Sequence, residues 1–314
     1  MTDIVTLTLN PAVDISFSVE QLVPTHKMRC DTVRRDPGGG GINVARVVQR
    51  LGGDCVALYL AGGRTGRALG ALLAGEQLRG DPVPIVGETR ENVTALERSS
   101  GREYRFVMPG PAVSPLECEH ALGRLDAFVP APRYLVASGS LPPGVAVDIY
   151  ARLARRARAR GSRFVLDASG DALAAALEEG VYLVKPSLGE LRALTGQPLD
   201  DEPQWSAAAT DLVDRGRASI VALTLGEQGA LVATASGVLR SPALPVPLVS
   251  AVGAGDSFLA GLVWALERGS DLETALRYGV AAGAAAVTRA GTMLAAPADI
   301  VRLVAKVEVS AVVR

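Results

Sequence analysis

Gly253-Ala254-Gly255-Asp256 stands at the head of an apolar stretch in which Phe258, Leu259, Leu262, Val263 and Leu266 recur at helical spacing. The small residues leave the first helical N–H groups unobstructed. Those orphan donors and the helix macrodipole together make an anion site. A carboxylate placed against an anion site makes chemical sense if Asp256 is a base beside a transferring phosphoryl group. The plainer alternative is a helix N-cap, and this stretch alone does not separate the two. A second cluster, Gly38-Gly39-Gly40-Gly41-Ile42-Asn43, lets the backbone approach a ligand closely. Asn43, with a side-chain donor and acceptor, suits sugar hydroxyls. The alternatives are a flexible hinge or a dinucleotide fingerprint. The fingerprint lacks its third glycine, where Asn43 stands, and no apolar strand precedes it.

Positioning these groups takes a large α/β domain. The 314 residues are 48% hydrophobic, long enough for one such domain with a small appendage. A net charge of −1 gives no case for nucleic acid or a membrane surface as partner. Three scattered cysteines and two histidines support neither a disulfide framework, a zinc motif nor a Ser-His-Asp triad. The N-terminus has no signal-type pattern and no apolar run approaches a membrane span, so a soluble cytoplasmic protein is the default expectation. Lysine is rare: only Lys27, Lys185 and Lys306 occur. A compact ammonium in an arginine-rich chain is a candidate for a phosphate contact, against the plain reading as a surface charge.

Ile4–Leu9 reads as a strand stopped by Asn10-Pro11, with Asp14 at its mouth, where open α/β sheets bind ligands; an ordinary turn carboxylate is the alternative. Ile15–Val19 and Met28–Asp36 read as a thin two-stranded flap. A helix is predicted from Asn43 to about Leu51. Cys55–Ala61 followed by Gly62-Gly63 and a helix over Arg67–Glu76 is a second, weaker dinucleotide candidate. Asn92–Arg98 and Glu103–Val107 flank Ser99-Ser100-Gly101, a hairpin signal. Pairing with the flap, it gives a lid over about 12–36 and 88–110. Arg90 and Arg105 lie at the hairpin edges; with Lys27 and Arg29 they would form a phosphate clamp, or else be edge charges that protect strands. From the capping box Ser114-Pro115-Leu116-Glu117 onward, helices and strands alternate through Tyr134–Ser138, Phe164–Asp167 and Tyr182–Val184. That alternation predicts a doubly wound, mostly parallel sheet. The arginines of Arg152–Arg163 read as a solvated helix face. Helices are predicted over Leu272–Thr288 and from Ala298 to about Val307. No repeat or interdomain linker interrupts residues 1–314, so a single domain is expected.

Several stretches together resemble the ribokinase-like sugar kinases of the PfkB family: Gly38–Ala45 and Ala251–Gly261 most specifically, with Thr6–Asp14, Tyr104–Gly110, Ser138–Gly144 and Leu225–Leu231 in support. The resemblance spans essentially the whole chain in order. Lys27–Cys30 beside four glycines resembles the type-2 6-phosphofructokinases of that family. The 1-phosphofructokinases and tagatose-6-phosphate kinases usually carry Gly-Lys-Gly where this chain has Gly39-Gly40-Gly41. The resemblance implies an ATP- and Mg²⁺-dependent kinase that phosphorylates the C1 hydroxyl of fructose 6-phosphate, Asp256 being the base. The N–H groups of Gly253, Ala254, Gly255 and Asp256 would form the anion hole. Asp14, Gly39, Gly40, Asn43 and Ser140 would meet the sugar, and Lys27, Arg29, Arg90 and Arg105 its phosphate. Lys185, Ser187, Thr224, Gly226 and Gly229 would line the nucleotide, with Gly283 near the adenine.

Ser187-Leu188-Gly189-Glu190 stands where the family usually has Asn-x-x-Glu, so Mg²⁺ would be held through Glu190 with a shorter neighbour. Relatives that bind K⁺ do so near Ser250, Val252, Ala286 and Gly291; Arg289 stands where they often have Asn. A homodimer through packed lids is implied as well. The competing readings are a 1-phosphofructokinase, a tagatose-6-phosphate kinase, a kinase of an unphosphorylated polyol, a non-catalytic sugar- or nucleotide-binding regulator, and a dinucleotide-dependent oxidoreductase.

Overall fold

Val5, Leu7 and Leu9 face one side of the first strand and Ile4 the other, and all four are buried. A strand buried on both faces belongs in the middle of a sheet covered by helices on each side. The computed structural model, which describes residues 2–31 and 33–312, has that arrangement. In chain order, β1 is Ile4–Thr8, β2 Ala12–Val19, β3 Arg34–Gly38, α1 Gly40–Arg50, β4 Cys55–Ala61, α2 Gly63–Gly75 and β5 Arg79–Pro84. Then come β6 Arg90–Glu97, β7 Arg102–Phe106, α3 Pro115–Asp126, β8 Tyr134–Ser138, α4 Ile149–Ala159, β9 Arg163–Asp167, α5 Gly170–Glu179 and β10 Val181–Val184. The rest is α6 Leu188–Thr195, α7 Glu202–Asp214, β11 Ala218–Thr224, β12 Ala230–Thr234, β13 Gly237–Ser241, α8 Ala254–Glu267, α9 Leu272–Val287, α10 Pro297–Val304 and β14 Ser310–Val312.

Ten strands form the main sheet in the order β14-β13-β12-β11-β10-β9-β8-β1-β4-β5. From β5 across to β11 every neighbouring pair is parallel. The chain runs outward from β1 through β4 to β5, then returns to β1's other side and runs through β8 to β11. The order therefore reverses at β1/β8, and a crevice opens at the carboxyl ends of those strands. The predicted doubly wound, mostly parallel sheet is the observed one. Strands β5 and β14 and helix α7 have no counterpart in the sequence reading. Arg79–Pro84 carries two prolines and exposed charges on an edge strand, so its pattern is not that of a buried strand.

The remaining strands make a second sheet, β3-β2-β6-β7, with β2 and β6 parallel and the outer pairs antiparallel. The flap and the hairpin are therefore one sheet. Two details differ from expectation. The second flap strand is only Arg34–Gly38, after an irregular loop that carries Lys27 and Arg29; Thr32 lies outside the described residues. And α1 begins at Gly40, not Asn43, so the glycines are its first turn. Both excursions return to where they left. A Cβ added at Gly39 would lie 3.2 Å from the Pro11 Cα, and one at Gly87 would collide with the Pro111 ring.

The glycines of α1 are dictated by the strand beneath. A Cβ at Gly41 would lie 2.6 Å from the Thr8 hydroxyl and 2.7 Å from the Leu7 carbonyl oxygen. Both are part of central β1 and neither can retreat. We expect Gly41→Ala to destabilise the protein by about 1–3 kcal/mol through overpacking. Gly123→Ala, in α3 with nothing within 4 Å of the new methyl, should raise stability by roughly 0.5–1 kcal/mol. Denaturant unfolding of the two variants checks the pair, and equal shifts would refute the packing account.

Candidate active site

Parallel register collects the polar groups. Ser138 pairs with Asp167 at the ends of β8 and β9, and Val184 pairs with Leu166, which places Lys185 beside Asp167. The Lys185 Nζ lies 3.1 Å from Asp167 Oδ1, and the Ser138 hydroxyl donates to Asp167 Oδ2 at 3.2 Å. Gly40 comes against Ser138 so closely that an added Cβ would collide with the hydroxyl. Across the crevice stands the start of α8. Gly253 is its N-cap in the left-handed region (φ 74°), where a Cβ would also strike Leu294. Asp256 is therefore the third residue of the helix and not its cap. Its carboxylate is free of the capping role, and no side chain caps this helix.

Asp14, Gly39, Gly40, Asn43, Arg90, Arg105, Lys185, Gly253, Gly255 and Asp256 line one polar cavity of about 330 Å³. Asn92, Val107, Asp167 and Thr292 line it too without having been singled out in the sequence, and Val252, expected near a K⁺ site, also borders it. The sequence marks Asp167 only as a strand end; the pairing of β9 with β8 is what sets it against Ser138. Asn92 Nδ2 donates to Asp14 Oδ1 (2.9 Å) and Asn43 Nδ2 donates to Asp256 Oδ2 (2.9 Å). Burial, more than any other cause, lifts the Asp256 carboxyl to about 6; the nearby Asp167 adds to the lift, while the Asn43 amide and Lys185 oppose it. Burial likewise raises Asp14, against the Asn92 hydrogen bond and the charges of Arg105 and Arg90. Asp167 is raised for the same reason, with Lys185 opposing. Burial alone would depress the Lys185 ammonium; Asp167 foremost, with Glu190 and Asp256, together more than offset it, so Lys185 stays charged. Arg90 donates to the carbonyls of Met108 (2.6 Å) and Asn10 (2.8 Å), while its buried Nε has no partner.

A second cavity, of about 980 Å³, is lined by Ser187, Thr224, Gly226, Gly229, Ala251, Ala254, Phe258, Gly283 and aliphatic residues between Ala243 and Leu248. Gly255 borders both cavities. A Cβ on it would lie 3.6 Å from the Lys185 Nζ, so the ammonium stands at the junction. The backbone N–H groups of the first turn of α8 are thus shared between a roomy, largely apolar compartment and a small, charged one. The loop before α8 is tied to the second sheet: the Ser250 hydroxyl donates to Glu103 Oε2 (2.9 Å) and accepts from the Val252 N–H (3.3 Å).

Other expected residues fall elsewhere. Lys27 and Arg29 are exposed on the loop between β2 and β3 and do not line this chain's cavity. Ser140 accepts from Asn10 Nδ2 (3.2 Å), and it is Ser138 that comes against Gly40. Ser187 and Glu190 form a capping box on α6: the Glu190 N–H donates to Ser187 Oγ (3.2 Å) and the Ser187 N–H to Glu190 Oε2 (2.7 Å). The glycine turn before α2 does not cradle a dinucleotide. A Cβ at Gly62 would collide with the Gly87 carbonyl, and the Thr65 N–H is taken by Glu88 Oε1 (2.6 Å). The chain's own carboxylate fills that helix start. The Ala286 carbonyl accepts from the Arg289 N–H (3.0 Å), and the Arg289 guanidinium lies 3.8 Å from Asp299. The arginines of α4 pair with Glu119, Asp126 and Glu179 across neighbouring helices, a solvated and compensated face. No helix among the described residues is long and apolar enough to cross a membrane.

The chain is 47% identical over 289 residues to a protein of Mycobacterium tuberculosis named ATP-dependent 6-phosphofructokinase isozyme 2, covering 92% of this chain and 85% of that one. It is 40% identical to the Escherichia coli protein of the same name, covering 95% and 97%. A 1-phosphofructokinase of Xanthomonas campestris is 34% identical, with 88% of each chain covered. The crystal structure of Escherichia coli phosphofructokinase-2 in complex with fructose 6-phosphate superposes with a TM-score of 0.92 at 39% identity, over 98% of this chain and 99% of that one. The family described as pfkB family carbohydrate kinase matches residues 1–299. With the starts of α1 and α8 lining one small polar cavity and α8 bordering a larger one beside it, this chain belongs to the pfkB family of carbohydrate kinases.

Proposed function

We propose that the protein transfers the γ-phosphoryl group of ATP to the C1 hydroxyl of fructose 6-phosphate. The observation that carries this reading is the pair of cavities meeting at Gly255, one large and largely apolar, the other small and lined by Asp14, Asn43, Arg90, Arg105 and Asp256. The large cavity takes ATP, with its phosphates running toward the first turn of α8. The small one takes the phosphosugar. Its hydroxyls meet Asp14, Gly39, Gly40 and Asn43, and its phosphate meets Arg90 and Arg105, whose guanidinium groups suit a phosphate. The two relatives named as 6-phosphofructokinases, at 47% and 40% identity, and the fructose 6-phosphate complex of the second favour this acceptor over fructose 1-phosphate. Gly40 points the same way. It leaves no room for a lysine beside Ser138.

Asp256 takes the proton of the attacking hydroxyl. The N–H groups of Gly253–Asp256 and the Lys185 ammonium stabilise the charge spread over the transferring phosphoryl oxygens, so positioning and electrostatics do most of the work. Mg²⁺ is the expected partner of the ATP phosphates, and its usual holders are one or two carboxylates plus phosphate oxygens. Glu190 fits that donor set: only its Oε2 is engaged by the Ser187 N–H, and its charge bears on Asp167 and Lys185. The metal would neutralise phosphate charge. Thr224, Gly226, Gly229 and Gly283 border the nucleotide. The second sheet acts as a lid over the sugar.

The lid also supplies the oligomer. Phe106, at the end of β7, and Met108, just beyond it, are exposed apolar residues, while Val107 between them borders the small cavity. A thin sheet with such a surface is marginal alone. Pairing lid to lid gives a homodimer, with the tetrameric inhibited form described for the Escherichia coli protein as a further assembly to test. A dimer by light scattering, converted to monomer by Phe106→Asp, is expected. A monomeric wild-type protein would refute the interface.

Three kinetic results are expected. Asp256→Asn should lower kcat by about 10²–10⁴-fold, the usual worth of a general base, while ATP binding by calorimetry is retained. A wild-type rate would overturn the base assignment. The base acts ionised, so protonation abolishes activity; kcat/KM should fall as the pH drops through about 6, with wild-type activity flat above it until another group titrates. An acid limb near 4 would contradict the desolvated site. Arg105→Ala should raise KM for fructose 6-phosphate by roughly tenfold or more, from the loss of a charge-assisted contact, and leave KM for ATP unchanged. Equal effects on both substrates would remove Arg105 from the phosphate.

A further inference from the structure

Among the described residues, Arg46 is the largest side chain wholly withdrawn from solvent. Nothing in the kinase reading uses it, and it does not line either cavity. A buried guanidinium is costly unless every donor is matched, and an aliphatic residue of its volume would pack there at less cost. Here each of the three nitrogens finds at least one acceptor. Nε and Nη2 fork onto Glu76 at 3.0 and 2.5 Å. Nη1 donates to the Pro37 carbonyl (3.0 Å), the Thr292 carbonyl (3.2 Å) and Asn43 Oδ1 (3.3 Å). Glu76 is held in turn by Arg50 Nη2 (3.0 Å). The two arginines keep its carboxyl below the ordinary range although burial opposes them.

The contact with Asn43 has a chemical consequence. An amide has two nearly isosteric ends, an acceptor and a donor. By donating to Oδ1, Arg46 assigns the oxygen to the interior. That leaves the NH₂ to face Asp256 Oδ2, which it does at 2.9 Å. The opposite rotamer would set a carbonyl oxygen against a carboxylate and a donor against a cation. The same guanidinium holds Pro37, the residue before the Gly38–Gly41 run, and Thr292, two residues before the Leu294 that underlies Gly253. We propose that Arg46 is a positioning residue for the reaction: it fixes the sense of the Asn43 amide so that Asp256 is always offered a donor and keeps one carboxylate orientation. This rests on Asp256 being the base. The other charged groups facing Asp256 are Asp14 from β2, Asp167 at the end of β9 and Lys185 after β10, with Arg90 and Arg105 on the cavity's far strands.

The test is the pH dependence of kcat/KM for fructose 6-phosphate in the full-length Arg46→Lys and Arg46→Met proteins, with Asp256→Asn measured in parallel. Lysine keeps the charge but cannot fork onto Glu76 and hold Asn43 together. We expect kcat to fall by about tenfold, from misplacement of the base, with KM for ATP unchanged. The acid limb should move up by roughly half to one pH unit, because the ionised Asp256 loses a hydrogen bond that favoured it. A merely structural arginine would lower the melting temperature and leave the limb in place. A folded variant with a wild-type acid limb overturns the proposal. If neither variant folds, Glu76→Gln, at the half-buried end of the fork, should move the limb in the same direction by less, and an unmoved limb there also overturns it. An active Asp256→Asn would instead defeat the base assignment itself.

Discussion

Three carboxylates, Asp14, Asp167 and Asp256, converge on one small desolvated cavity. Like charges in such a place push one another toward protonation, and the rest of the site is an answer to that repulsion. Each acid has its own keeper on a different element. Asp14 has Asn92 on the neighbouring strand, Asp167 has Lys185 and Ser138, and Asp256 has Asn43. The keepers differ in kind. A full cation stands against Asp167, whereas the hydrogen-bond partner of Asp256 is a neutral amide. Burial raises the proton affinity of both; in Asp256 that suits the proposed base, while Asp167 holds an ammonium at the junction of the cavities. Two carboxylates of one type are given separate chemistry by what stands next to them.

Much of this was legible in the chain. The two glycine clusters each start a helix, and Asp256, Asn43, Asp14, Arg90 and Arg105 line one cavity, because short-range signals fix those helix starts and strand ends. What was not legible depends on register between distant strands. Asp167 became a cavity residue only because β9 lies parallel to β8 with Ser138 opposite it. Asn92 is opposite Asp14 across the parallel pair β2 and β6, a pairing no local pattern announces. The two serines differ for the same reason: Ser138 ends the strand and meets Gly40, whereas Ser140, two residues on, turns to Asn10. Arg29 looked like a strand residue of the flap, with Lys27 just before that strand, but a loop with no ladder carries both outward.

The two glycine turns before α2 and α8 look alike as strings and differ in what fills them. Both offer free N–H groups at a helix start. Before α2, Glu88 from the chain itself takes the place of a ligand, and the glycines are there to let the Gly87 loop come close. Before α8 no side chain returns; the Ala254 N–H turns back at long range to the Ala251 carbonyl (3.4 Å), and Gly255 and Asp256 border the cavity. A motif therefore reads as a site only when the structure leaves its donors unclaimed.

The second sheet leaves the main fold at Pro11 and rejoins at Gly39, and leaves again at Gly87 and rejoins at Pro111, with the chain touching itself at each neck. Each excursion is thus a closed stalk on a scaffold whose own register does not run through it. Arg90, Asn92 and Arg105 ride on one stalk and Asp14 on the other, while Lys185, Asp167 and the start of α8 stay on the scaffold. Gly39, Gly40 and Asn43 at the start of α1 reach between the two sets, with Asn43 bonded to Asp256. Remodelling a stalk between its two fixed necks can therefore change the charges on one wall of the cavity without moving the strands that hold Asp167 and Lys185.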